Sequence, residues 1–224
     1  MTRGPPLALP SCADALRGAS TPHGDVAVDR YHPVSNNGID RRIPTQWLVS
    51  AAGLPVIHRR CLHCTSERYC PDGTFRVNAN GKLLDVWLLA RCGGCGKTLN
   101  LTVLERVKVR AIDPETLTRF HDNDLELTAR LLADPELARR NSVTVNWDDA
   151  WTLEKATLGA SEANVVEISV RFTQRIPVKV TALLSVGLDV SRSEVRRLVA
   201  DGSLSSAPCL TGKASGDFSF TLRR

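Results

Sequence analysis

Hydrophobic and polar positions divide the chain into a patternless front, a strand-rich block, a helical block and a mixed end. Residues 1–44 hold no sustained period of 2 or 3.6. They contain Pro5, Pro6, Pro10, Pro22, Pro33 and Pro44, so they read as a disordered tail or an overextended translation start. Regular patterning begins near Trp47. Residues 46–49 and 55–57 read as short extended pieces, and residues 74–82 contain Asn80-Gly81, a strong hairpin signal. Residues 83–91 form a nearly continuous apolar run that predicts a buried strand. Alternation at Leu99, Leu101, Val103, Val107 and Val109 predicts the next one. The expectation over residues 45–112 is a small three-stranded unit with little core of its own.

Helical spacing then takes over. Asp113-Pro114-Glu115 and Asp134-Pro135-Glu136 each place a capping carboxylate before a proline, and Asp122 or Asp124 opens a helix between them. Residues 113–164 therefore read as an acidic helical connector, with a strand over 142–147 near its end. Val166, Ile168, Val170 and Phe172 alternate as a clear strand. Residues 176–204 read as a helix ending at Gly187, a turn, a second helix capped by Ser191 and ended by Gly202, and a return strand at Leu204. Phe218, Phe220 and Leu222 mark a final strand. The predicted class is α+β: a β-rich module over 45–112, the connector over 113–164, and an α/β module over 165–224.

Composition adds two constraints. No run approaches the ~18 apolar residues of a membrane helix, so no membrane association is expected. The seven cysteines, four of them in metal-ligand spacing, fit a reducing compartment, and a cytoplasmic location is the expectation. The net charge of +5 is unevenly spread: residues 47–112 carry ten basic against four acidic side chains, 113–164 five against eleven, and 165–224 nine against five. Two basic blocks flanking an acidic one suggest modules, with the basic ones as candidate polyanion binders. Much of the acidic excess sits at helix starts, where it complements the backbone dipole.

The chemistry concentrates in Cys61-Leu62-His63-Cys64 and, after 27 residues, Cys92-Gly93-Gly94-Cys95-Gly96-Lys97. Two Cys-x-x-Cys turns joined by strands are what a four-thiolate zinc site needs, so Cys61, Cys64, Cys92 and Cys95 are the expected ligands of a structural Zn2+. A disulfide pair or a redox dithiol are the alternatives. His63 and Cys70 are candidate variant ligands, and with three protein ligands the zinc would be catalytic. Other catalytic signatures are missing: there is no His-Glu-x-x-His and no Gly-x-Ser-x-Gly, and Gly96-Lys97-Thr98 lacks the leading glycine of a phosphate loop, since Arg91 stands there.

The turn around Gly187-Leu188, the Ser191-Arg192 helix opening and Gly202 before a short strand resemble the S-four type RNA-binding domain over residues 176–222. That resemblance implies phosphate contacts from Arg192, Arg196 and Arg197, with Lys179 and Lys213 as weaker candidates. Val178-Lys179-Val180 stands where that family opens with Arg-Leu-Asp. From Trp47 onward the chain also resembles an uncharacterised bacterial family known as a domain of unknown function, through Arg60-Cys61, the paired cysteines, Phe75-Arg76-Val77-Asn78-Ala79-Asn80, Asp85-Val86-Trp87-Leu88 and Arg91-Cys92. The functional expectation is a zinc-stabilised nucleic-acid-binding protein without catalysis, with RNA favoured over DNA. The alternative is a protein-interaction scaffold using the same zinc unit.

Overall fold

The computed structural model describes residues 45–156, 165–206, 210 and 212–223; the tail expected over 1–44 lies outside them. Alternating apolar residues build a five-stranded sheet from β2 (Val56–His58), β3 (Arg68–Asn80), β4 (Leu83–Cys92), β5 (Thr98–Lys108) and β6 (Thr144–Asn146), in the order β5-β4-β3-β2-β6. All of its pairings are antiparallel. The hairpin falls at Gly81-Lys82, where Asn80 pairs with Leu83. One face carries Phe75, Leu84, Val86, Leu88, Ala90, Leu101 and Val103, all buried. On the other, Trp87 stands half-buried between Arg76 and Thr102.

Three short helices cover the buried face: α1 (Pro114–His121), α2 (Leu125–Ala133) and α3 (Pro135–Arg140). Asp113, Asp124 and Asp134 each accept a backbone N–H of the helix they open, as their positions before prolines and leucines predict. Phe120 of α1 meets Phe75 edge-on, with ring centroids 5.1 Å apart. Asn123, at φ 54°, breaks the chain between α1 and α2, and its side-chain carbonyl accepts the Phe75 N–H at 2.7 Å. Asn141 follows α3 and caps the edge of the sheet. Its carbonyl accepts Thr102 N–H at 2.7 Å while its amide donates to Thr102 O and Leu137 O.

The second sheet draws on both ends of the described chain. β1 (Thr45–Ala51) runs parallel to β8 (Val165–Phe172) and antiparallel to β7 (Trp151–Ala156). β12 (Phe218–Arg223) and β10 (Leu204–Ser205) complete the order β10-β12-β8-β1-β7. A separate ribbon pairs β9 (Val178–Lys179) with β11 (Lys213–Ala214). Against this sheet lie α4 (Val180–Leu188) and α5 (Arg192–Ala200), the latter capped by Ser191 and burying Val195.

Two expectations change. The three-stranded ribbon becomes a five-stranded sheet because β2 and the later β6 pair at its side, and its core is supplied by α1–α3. Gly187 does not end its helix, which runs on to Leu188; Asp189, at φ 58°, takes the left-handed position. The role of Gly187 is close approach: a Cβ there would fall inside the ring of Trp47. Trp47, 2% exposed, also packs edge-on against Phe220 at 5.3 Å. Buried side chains from both sheets join in one contiguous core.

Candidate metal centre

The β2–β3 connection and the β4–β5 connection fold into two tight turns at one end of the first sheet. In the first, Cys61 N–H donates to Ser66 O at 2.9 Å, and His63 N–H points at the Cys61 sulfur at 3.4 Å. In the second, Cys92 N–H donates to Lys97 O at 2.9 Å, and Gly94 N–H points at the Cys92 sulfur at 3.4 Å. The turns therefore treat their first cysteine alike, aiming the amide of residue i+2 at its thiolate. Glycine is required at 94, where a Cβ would lie 3.0 Å from the Cys64 sulfur and 2.8 Å from the Ser66 Cβ.

The four sulfurs of Cys61, Cys64, Cys92 and Cys95 lie within 4.8 Å of one another. Across the turns, Cys61 and Cys95 are 3.7 Å apart and Cys64 and Cys92 3.6 Å apart. Four sulfurs at about 2.3 Å from a tetrahedral ion are separated by about 3.8 Å. A disulfide needs about 2.05 Å, and all four thiols are free. The donor set and spacing thus fit a metal ion held by four thiolates. Cys61 and Cys92 are buried, Cys64 is half-buried and Cys95 is exposed. The cluster includes neither His63, whose side chain is exposed, nor Cys70, on β3 opposite Arg91.

Electrostatics of the thiols point the same way. The Tyr69 hydroxyl, then the His63 amide, stabilise the Cys61 thiolate and lower its pKa to about 6. Donating that hydrogen bond raises Tyr69 itself to about 12. At Cys92 burial acts upward, but the amides of Cys95 and Gly94 outweigh it and the net shift is down. At Cys64 the Ser66 amide acts downward. Burial and the three neighbouring sulfurs prevail and push it to about 12. Crowded thiols resist sharing several negative charges, and a bound dication is what would relieve that repulsion. Tyr69 was not evident as part of this site from the sequence. The only signal was an aromatic residue in a strand leading away from the first turn.

The predicted phosphate ligands fall in two groups, three on α5 and two facing each other on the β9–β11 ribbon. Arg192 and Arg196 are exposed on α5, with no ion-pair partner among the described residues. Arg197 is engaged: it pairs with Glu194 at 2.5 Å and with Asp201 at 3.3 Å. Lys179 is held by Asp148 at 2.7 Å, which places Asp148 in a structural ion pair. Lys213 is exposed and lies across the small ribbon from Lys179. In the first sheet Arg59 donates to Asn141 O and Arg91 pairs with Asp72 at 3.3 Å. Arg60, Arg76 and Lys97 are exposed. No described helix is long and apolar enough to cross a membrane.

No curated protein and no solved structure matches the chain. A family profile described as "Protein of unknown function (DUF1062)" matches residues 77–209, taking in the second cysteine turn and all five helices described above. That span is more than half of the 224 residues, and the chain belongs to this family of unknown function.

Proposed function

We propose that the chain is a zinc-stapled nucleic-acid-binding protein, directed at RNA rather than DNA, with no catalysis of its own. Zinc is the ion that four thiolates at tetrahedral spacing suit best, and four protein ligands leave no open position for a substrate. The observation that carries the nucleic-acid reading is a set of exposed cations without an ion-pair partner among the described residues. Arg192 and Arg196 stand one turn apart on α5, Arg76 lies on β3, and Arg60 and Lys97 flank the two cysteine turns. Arg76 stands directly across from half-buried Trp87. An aromatic face beside a guanidinium suits an unstacked base and its phosphate, which single-stranded RNA offers more readily than duplex DNA. Arg197 and Lys179 drop to secondary importance, because carboxylates already hold them.

Titrating the purified chain into fluorescein-labelled single-stranded RNA tests the reading by anisotropy. Binding that weakens steeply with salt is expected, with a loss of about tenfold or more in Arg192→Glu/Arg196→Glu. No binding at low salt, or binding indifferent to both substitutions and to Trp87→Ala, overturns it. The scaffold alternative then gains, and Leu62 is where to pursue it. That side chain is 91% exposed at the tip of the first cysteine turn.

A further inference from the structure

Away from the cysteines, a groove of about 530 Å³ opens where α2 and α3 meet β6 and the β9–β11 ribbon. Its walls are mostly apolar, with Leu132, Val145 and Pro177 among them, and Trp147 also lines it. Trp147 is 2% exposed, yet its indole N–H is the buried side-chain donor that has no hydrogen-bond partner among the described residues.

Charge at the same groove has a definite sign. Arg175 and Lys213 line it, both exposed and neither ion-paired among the described residues. Arg175 has Asp217 only at longer range, and that carboxylate is bonded to Arg171 and to Phe172 N–H. The one acid on the lining, Asp134, accepts Glu136 N–H at 2.9 Å. An apolar wall and two cations without an ion-pair partner among the described residues describe a receptor for an amphiphilic anion.

We propose that this groove binds an apolar-bodied organic carboxylate. The carboxylate would face Arg175 and Lys213, and the hydrocarbon would lie along Leu132, Val145 and the part of Trp147 that lines the groove. The inference stands apart from the nucleic-acid reading and uses different substitutions.

Octanoate is the probe, titrated into the full isotope-labelled chain while the four indole N–H signals are followed by NMR. Trp147→Phe identifies the signal of interest. A saturable shift of that signal is expected, weakened about tenfold in Arg175→Gln/Lys213→Gln, both surface changes that leave the core alone. Octanol, of the same length but uncharged, is expected to bind at least as weakly to the native chain as octanoate does to the double variant. The proposal is overturned if octanoate leaves the Trp147 signal unmoved, if octanol matches octanoate, or if the double variant binds octanoate like the native chain.

Discussion

At the residue scale the cysteine cluster makes the sharpest demands. Cys61 and Cys92 are buried and each receives an amide hydrogen bond on sulfur, whereas Cys95 is exposed. Elemental analysis of the purified chain is expected to give one zinc per molecule. Chelation is expected to lower Tm by about 5 °C or more, because binding energy held only by the folded state is lost. Cys61→Ser and Cys92→Ser should abolish stoichiometric zinc, and Cys95→Ser should weaken it least. An unchanged melting curve after complete zinc removal would show that the staple is not structural. Gly187 gives a second case. Alanine normally gains about 1 kcal/mol over glycine inside a helix. Here the added Cβ would enter the ring of buried Trp47, so the sign reverses. A net loss of about 1–3 kcal/mol is expected for Gly187→Ala in urea unfolding. The sequence shows a glycine near a helix end, which reads as a terminator. Only the tertiary partner, 140 residues earlier, reveals its purpose.

At the element scale the helices were the most legible part, because their signals are local. Asp113, Asp124 and Asp134 cap the helices they precede, and the short range of that interaction is why spacing alone finds it. Asp124 does more than cap α2. Arg119 of α1 grips its carboxylate at 3.0 Å and 3.1 Å, tying the two helices together, and this guanidinium holds the Asp124 pKa below its ordinary value. A carboxylate with a lowered folded-state pKa stabilises the fold above its unfolded pKa. That contribution fades as pH falls through the folded value. Asp124→Asn keeps a capping oxygen and removes the charge. It is expected to cost about 1 kcal/mol at neutral pH, with the gap from the native chain closing as pH drops below about 4. Urea midpoints at both pH values check this; a gap independent of pH would remove the ion pair from the account. Asn141 was not legible at all. Its side chain takes the place of a strand at the edge of β5, a role set by where α3 ends in space and not by any pattern around it.

At the scale of the molecule, period-2 alternation assigned the faces of β8 and β12, failed at Val109, which lies exposed beyond the end of β5, and could not assign partners. The strands β3, β4 and β5 follow one another through short turns, so sequence order gave their neighbours. Trp47 and Val49 alternate as well as any of these, yet β1 leaves its sequence neighbours and pairs with β7 and β8. In turn β6 returns from beyond α3 to pair with β2. These crossings bear on whether residues 45–112 can fold alone around a metal. In such a fragment β1 would lose both of its neighbours, and β2 its outer one. Val86, Leu88 and Leu101, at 0% exposure in the whole chain, would lose the cover of α1–α3. Exposing several large core side chains at about 1.5–3 kcal/mol each costs an amount comparable with the whole stability of a typical domain, about 5–15 kcal/mol. The 45–112 fragment is therefore expected to bind zinc at its cysteine turns without a cooperative thermal transition by circular dichroism. The full chain is expected to melt in a single transition by near- and far-ultraviolet signals alike. A cooperative transition in the zinc-loaded fragment would mean that the cysteine turns and their strands form a self-sufficient unit. The fold of these strands would then not depend on β6 and the helices.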